Sequence, residues 1–373
     1  MEATVRTPQG LGARVAEGRE TAGLTQAALA DRLSIDRTSV VRLEAGERKV
    51  SATELATIAQ VLDLPIDWFV LESAPAVVSR RRDTHRQHTS TRALDVAVDR
   101  ASRDVQFLLD RGILTWSKRE PVAVPQNHSQ AEHLAESIRA DLRLNDEPLL
   151  GLAEVAEGLG VIAFSLDLGD APDGACVELD GDEGERVGVA VINGAEEPGR
   201  RRWSLAHELG HFLVGDAYAS DHPAGDVERY INSFVTYLLM PRNGVLKVWR
   251  DAGGADARRA ALLLAARYHT SWSAACSQLV NVQLIDHSRL HELKRAEPTR
   301  GDYVALGEAW TEELRPPAVP RRYTQSVLGA YTGGQLTAQR TVELLRSTLS
   351  APELPTPAQI DLDRLRSAFD PLT

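Results

Sequence analysis

The chain has little cysteine. Cys176 and Cys276 are the only two in 373 residues, and they lie far apart. That excludes a disulfide framework and a paired-cysteine zinc site, and buried free thiols are expected instead. Long apolar runs are also missing. The longest, Ala260 to Ala266, falls far short of the roughly 20 residues a spanning helix needs. Met1 to Gly12 holds no apolar stretch, so no signal peptide is expected, and a reducing, cytoplasmic location follows as an expectation. Excess positive charge is absent too. The net charge of −11 argues against a protein that coats nucleic acid without selectivity. A small module reading DNA through a local basic surface stays open. No internal repeat and no low-complexity tract is found.

What is present divides by pattern. In residues 10–72, Leu11, Val15, Leu24, Ala28, Leu29 and Leu33 recur mostly at spacings of three and four, and Val40, Leu43, Leu55, Ile58, Leu62 and Leu64 continue them. That is a set of short helices. Residues 73–92 hold few apolar groups, a Ser-Ala-Pro break and the run Arg80-Arg81-Arg82, and read as a linker. Over 92–114, Leu94, Val98, Ala101, Val105 and Leu108 follow a 4-3-4-3 spacing. The seam suits either a dimerisation helix or a helix packed on its own chain.

Further on, helices are predicted near 129–142 and 148–158, then strands over 161–168, 175–179 and 187–192. Helices follow at 199–214, 225–239, 257–267 and 271–280. After 300 the chain is Pro-rich and helical in patches, near 323–332, 337–348 and 357–368.

Residues 203–213 read Trp-Ser-Leu-Ala-His-Glu-Leu-Gly-His-Phe-Leu. Four residues apart, His207 and His211 share one helix face, where two imidazoles can bind one zinc ion. Glu208 then lies beside the metal, placed to take a proton from water. Gly210 is a poor helix former, costing about 1 kcal/mol against Ala, and implies a close approach to the backbone. A catalytic zinc takes three protein ligands. Glu228, 17 residues past His211 on a second amphipathic helix, is the favoured third, with His222, Asp216, Asp221 and Asp226 as rivals. Asn232, one turn on, is placed to accept the Nδ1–H of a ligand histidine. Tyr218, Tyr230, Tyr237 and several histidines are candidates to steady an oxyanion.

In the N-terminal part, Thr25 is a good N-cap for a helix through Leu33, and Asp36 for a second helix over 37–44 ended by Gly46. The short turn and the apolar Leu29, Leu33, Val40 and Leu43 make a helix-turn-helix. Arg37, Thr38 and Arg42 then project from the exposed face of the second helix, with arginine suited to guanine. Gln26 and Ser39 fall near phosphates. The charge is only faintly favourable: residues 1–72 hold 8 Lys/Arg against 11 Asp/Glu, and 34–49 hold 4 against 3.

Two resemblances follow from these residues. The Thr-Gln-x-x-Leu-Ala start at Thr25 and the Arg-Leu-Glu-x-Gly-Glu-Arg end at Arg48 resemble the Xre family of Cro-like and phage-repressor-like regulators across about 10–72. The stretch from Arg202 through His211, with Glu228-x-x-x-Asn232-Ser-Phe and Leu238-Leu-Met-Pro241, resembles the ImmA/IrrE family of bacterial metallopeptidases across about 128–290. Ile231 and Val235 are bulkier than is usual there.

The second resemblance implies a zincin-like fold. It also implies His207, His211 and Glu228 as ligands of Zn2+ (Mn2+ as an alternative), Glu208 as general base, and a repressor as protein substrate. Together the two imply a multidomain, mainly α chain with an α+β zincin-like domain. Its parts would be a five-helix Cro/repressor-type bundle at 10–72, a linker and long helix at 73–127, a zincin-like domain at 128–290 and a C-terminal helical region at 300–373. Double-stranded DNA and a regulatory protein are the expected partners, with no membrane and with homodimerisation open. Two other readings remain: a regulator whose metal site is structural or sensory, and a peptidase whose N-terminal module docks a protein.

Overall fold

The structure, a computed structural model, describes residues 7–62, 64, 66–70, 77–81, 91–115, 117–181, 184–215, 224–307 and 312–357. The chain forms two compact units: residues 1–75 with 91–100, and residues 76–90 with 101–373. These do not coincide with the four segments expected from sequence.

The first unit is a bundle of α1 (Pro8–Thr21), α2 (Gln26–Leu33), α3 (Arg37–Glu44), α4 (Ala52–Leu62) and α5 (Ile66–Val70). The expected caps are in place. Thr25 accepts from the Ala28 amide at 3.1 Å, and Asp36 from the Ser39 amide at 2.8 Å. Ser34, left-handed at φ 56°, turns the chain between α2 and α3. Val15, Leu29, Val40, Ile58, Leu62 and Phe69 are fully buried among them. At Gly12, α1 crosses so close to α3 that an added Cβ would fall 2.4 Å from the Glu44 carbonyl oxygen. Arg19 donates to Glu44 at 2.6 Å, and Gln26 donates to the same carboxylate at 2.9 Å, so one acid ties three helices.

The second unit is built on a four-stranded sheet in the order β1-β3-β4-β2. The strands are β1 (Val77–Arg81), β2 (Val161–Leu166), β3 (Gly174–Asp180) and β4 (Arg186–Asn193). β2 and β4 are parallel, whereas β3 runs antiparallel to β4 and β1 antiparallel to β3. The three predicted strands are present within a residue or two. The fourth lies inside the segment read as a linker, which corrects that reading for 77–81. Its charged composition hides a pairing that depends on β3, remote in sequence. Ser79 stands opposite Cys176, Arg80 opposite Ala175 and Arg81 opposite Gly174, with a bulge between Val77 and Ser79.

The helices between and after the strands are α6 (Arg92–Asp110), α7 (His128–Asp141), α8 (Leu152–Gly158), α9 (Pro198–Val214) and α10 (Ala224–Leu239), with α8 and α9 against the sheet and α7 on α10. The first turns of α6 belong to the first unit and the rest to the second. Its seam residues Leu94, Val98, Ala101, Val105 and Leu108 are all buried within the single chain. The core joins α7, α8, the sheet, α9 and α10 around Leu205, Leu209, Phe212, Ile231 and Phe234.

A second core is formed by α11 (Arg242–Asp251), α12 (Ala257–Tyr268), α13 (Trp272–Asn281) and α14 (His287–Arg295), beside α15 (Arg300–Ala305). Of these, α11, α14 and α15 have no counterpart in the sequence reading. Both cysteines are free and buried, as expected.

The chain after 312 is built into this unit. Leu314 joins the main core. Ser165 of β2 and Ala318 exchange backbone hydrogen bonds at 3.0 and 2.9 Å, covering the far edge of the sheet. Helices α16 (Arg321–Thr332) and α17 (Ala338–Leu344) follow. Buried Tyr323 packs edge-on against Phe164, and Asp104 of α6 accepts from Arg340 and Arg346. The helix expected over 357–368 lies, but for its first residue, outside the described residues.

Candidate metal centre and recognition helix

Pro198 opens α9, where its missing N–H costs nothing, and left-handed Gly215 closes it by donating to the His211 carbonyl. Fourteen of its 17 residues are buried, including His207, Glu208 and His211. A helix this enclosed carries polar groups only if they are matched.

At its N-terminal end three arginines are matched by distant acids. Arg200 holds Asp173 through two bonds of 3.0 and 3.1 Å. Arg201 pairs with Glu312 and donates to the Leu314 carbonyl at 2.7 Å. Arg202 pairs with Glu313 and donates to the Leu149 carbonyl at 2.6 Å. Glu313 also accepts from the amides of Gly151 and Leu152, where α8 begins. These ties fix the axis and rotation of α9.

The helix α10 closes on α9 at Gly210. A Cβ there would meet Ile231 and Phe234 at 3.1 Å, the close approach that the glycine implied. One face on, Glu228 reaches both histidines. The two Nε2 atoms are 3.0 Å apart, and the Glu228 oxygens lie 3.4 Å from His207 Nε2 and 3.3 Å from His211 Nε2. Donors about 2.0–2.1 Å from one tetrahedral zinc are roughly 3.3 Å from each other, so the three atoms fit a zinc-sized ion.

Burial works to raise the half-exposed Glu228 carboxyl. Hydrogen bonds from His207 and His211, and their charge, outweigh it and hold the group well below the usual carboxylate range. Fully buried Glu208 faces the sheet. Burial pushes the Cys176 thiol of β3 well up, and the nearby Glu208 charge adds to it.

The other expected site residues divide. Asp226 is paired with Arg229 at 2.7 Å and stands outside the cluster. His222, Asp216, Asp221 and Tyr218 lie outside the described residues. Tyr230 packs edge-on against His128, and the Tyr237 hydroxyl accepts from Arg242. Asn232, expected to hold a ligand histidine through its Nδ1, does not do so at His207, whose buried Nδ1 has no hydrogen-bond partner among the described residues. Asn232 follows Glu228 by one turn on the partly exposed side of α10, while Ile231 and Phe234 fill the side that meets α9.

In the first unit, α3 buries only Val40 and Leu43. Arg37, Thr38 and Arg42 are exposed, as expected. Gln26 donates to Glu44, and the Ser39 hydroxyl donates to the capping Asp36 at 2.7 Å on the exposed start of α3. Their hydrogen bonds serve helix packing and capping. Val41 is a residue the sequence reading passed over. It is 40% exposed on the same surface as Arg37 and Arg42. Its neighbour Val40 is core, and the pattern of apolar residues alone does not separate the two.

Residues 15–69 match the helix-turn-helix family, and residues 171–280 match the family described as the IrrE N-terminal-like domain, a metallopeptidase family. The chain joins a helix-turn-helix domain to an IrrE-like domain. The first match spans α2 and α3 whole, and the second spans β3, β4 and α9 to α13. The whole constellation of His207, Glu208, His211 and Glu228 therefore lies inside the IrrE-like match. No curated protein matches the chain. Among the described residues, no helix is long and apolar enough to cross a membrane.

Proposed function

We propose that this chain is a DNA-binding regulator whose IrrE-like domain is a zinc-dependent endopeptidase acting on a separate regulatory protein, a repressor being the favoured substrate. The convergence of His207, His211 and Glu228 beside buried Glu208 carries the reading. The three converging residues would hold Zn2+, with Mn2+ the alternative for such a donor set. Bound there, the ion supplies a Lewis acid for the peptide carbonyl and makes water more acidic than in bulk.

Glu208, rooted in α9 next to His207, takes a proton from the attacking water. It returns that proton to the amine as the C–N bond breaks. The arginine–acid ties at the head of α9 and the Gly210 contact with α10 keep Glu208 and Glu228 in register. Such fixed placement is what general-base catalysis requires.

In the helix-turn-helix domain, α3 enters the major groove. Arg37 and Arg42 are suited to guanine edges, and exposed Val41 to a thymine methyl. Because the surface is faintly basic, tight binding calls for two copies on a pseudo-palindrome.

The test is to incubate wild type and Glu208→Gln, each with zinc or manganese, with a candidate repressor and to weigh the products by mass spectrometry. Cutting of the repressor by wild type alone supports the proposal. Equal cutting by both forms identifies a contaminant. Metal binding and DNA recognition without cutting would make the site structural or sensory.

A further inference from the structure

The sheet's β3 edge is completed by a strand that does not belong to it in sequence. β1 comes from the segment between α5 and α6, almost a hundred residues ahead of β3. It runs antiparallel to β3 across Gly174–Val177, and both strands pass α9. Ser79 stands opposite Cys176, the β3 residue close enough to Glu208 for the acid's charge to act on its thiol. The backbone of Val77–Arg81 is therefore laid out as an extended peptide along the strand that carries Cys176, with α9 against both strands.

A protein substrate must present an extended backbone to such a site. The cheapest way to hold one is to add it to an open sheet edge, where main-chain hydrogen bonds do not depend on its side chains. At the opposite edge, β2 is bridged at Ser165 by Ala318. The β3 edge carries Cys176, near Glu208, and β1 of the same chain fills it. A bulge between Val77 and Ser79 shifts the pairing register there, a device common next to active sites.

We infer that the β3 edge is the peptide-binding strand of the site and that Val77–Arg81 is its resident occupant, held uncut, which a substrate peptide must displace. The inference rests on the reading of this site as one that takes a peptide. A tethered strand competes at an effective concentration on the order of millimolar, so it shuts out weak ligands and yields to a strong one.

The test measures binding without hydrolysis, in a Glu208→Gln background. In one protein Ser79 and Arg80 are both replaced by proline, which removes whichever amide faces β3 and unseats the strand. A labelled peptide with the sequence of residues 76–82 is titrated into this protein and into its unreleased parent. The released form should bind at least tenfold more tightly. Hydrogen exchange at Gly174–Val177 should be slow in the parent, fast in the released form and slow again when peptide saturates it.

Equal affinity for both forms would overturn the inference, as would no binding to the released form at millimolar peptide. A cut between Val77 and Arg81 in zinc-loaded protein with Glu208 intact would also overturn it, by making the segment a substrate. A released form that binds peptide while the Glu208-intact protein cuts nothing would keep this inference and sink the peptidase reading.

Discussion

Two helices of similar consequence, α3 and α9, are built in opposite ways. α3 buries two of its eight residues, whereas α9 buries fourteen of seventeen. The chemistry of α3 points outward, toward a surface that must supply the complementary groups. That of α9 points into the protein, which supplies them itself through Glu228, Asp173, Glu312 and Glu313. An exposed helix can change its polar residues at small cost to the fold. An enclosed one cannot do so as freely, because its arginines are answered by Asp173, Glu312 and Glu313.

The largest expected effect tests the enclosed side. His207→Ala, His211→Ala and Glu228→Ala should each strip a stoichiometric divalent ion, read by elemental analysis. Glu208→Gln should keep the ion and lose about 10²–10⁴-fold in cleavage. Full occupancy in Glu228→Ala would remove that residue from the site. Stability should separate the two helices next. Arg202→Met leaves Glu313 without its buried counter-charge and should cost about 3–5 kcal/mol in denaturant unfolding. Arg37→Ala should stay within about 0.5 kcal/mol in the same measurement. Equal losses would erase the contrast.

Smaller effects sharpen it. Gly210→Ala gains helix propensity but presses a methyl onto Ile231 and Phe234. A net loss of about 1–2 kcal/mol is expected, with weaker metal binding as α10 is pushed away. On the outward side, Arg37→Ala or Arg42→Ala should each cost about 1–3 kcal/mol at one base position in selection from random DNA, and Val41→Ala less. Chelation of the metal should leave that binding nearly intact.

The smallest effect concerns acid. The hydrogen bond from Arg201 holds the Glu312 carboxyl below its ordinary value. Its contribution is complete above the ordinary carboxylate pKa and fades as pH falls through the lowered one. Glu312→Gln should flatten that part of the stability–pH curve. An unchanged curve would mean that solvent screens the pair.

Much of this was legible because it is local. A His-Glu-x-x-His run declares its helix face by spacing alone, and Thr25 and Asp36 declare helix starts by what their side chains accept. Glu228 was reachable because amphipathic spacing set a return helix at the right distance. What stayed hidden depends on partners far along the chain. Arg201 and Arg202 meet Glu312 and Glu313 more than a hundred residues away, and no composition rule links them. The β1 strand reads as linker because its two valines are followed by a run of arginines, and only β3 gives it a strand to pair with. Asn232 was placed beside a ligand histidine by helical spacing, but spacing gives only the face. Where α10 meets Gly210 of α9, Ile231 and Phe234 make the contact.

Glu313 has one further consequence. It meets Arg202 at the head of α9 and the amides that begin α8, and next to it Glu312 meets Arg201. A fragment ending at residue 307, a natural place to stop if the tail is taken for an appendage, would strand two enclosed guanidinium groups and leave the start of α8 without its carboxylate. The stretch that carries the family likeness, 171–280, is thus shorter than the stretch whose buried charges depend on one another. A substitution among the arginines near 201 should therefore be tolerated best when the acids near 312 are changed with it.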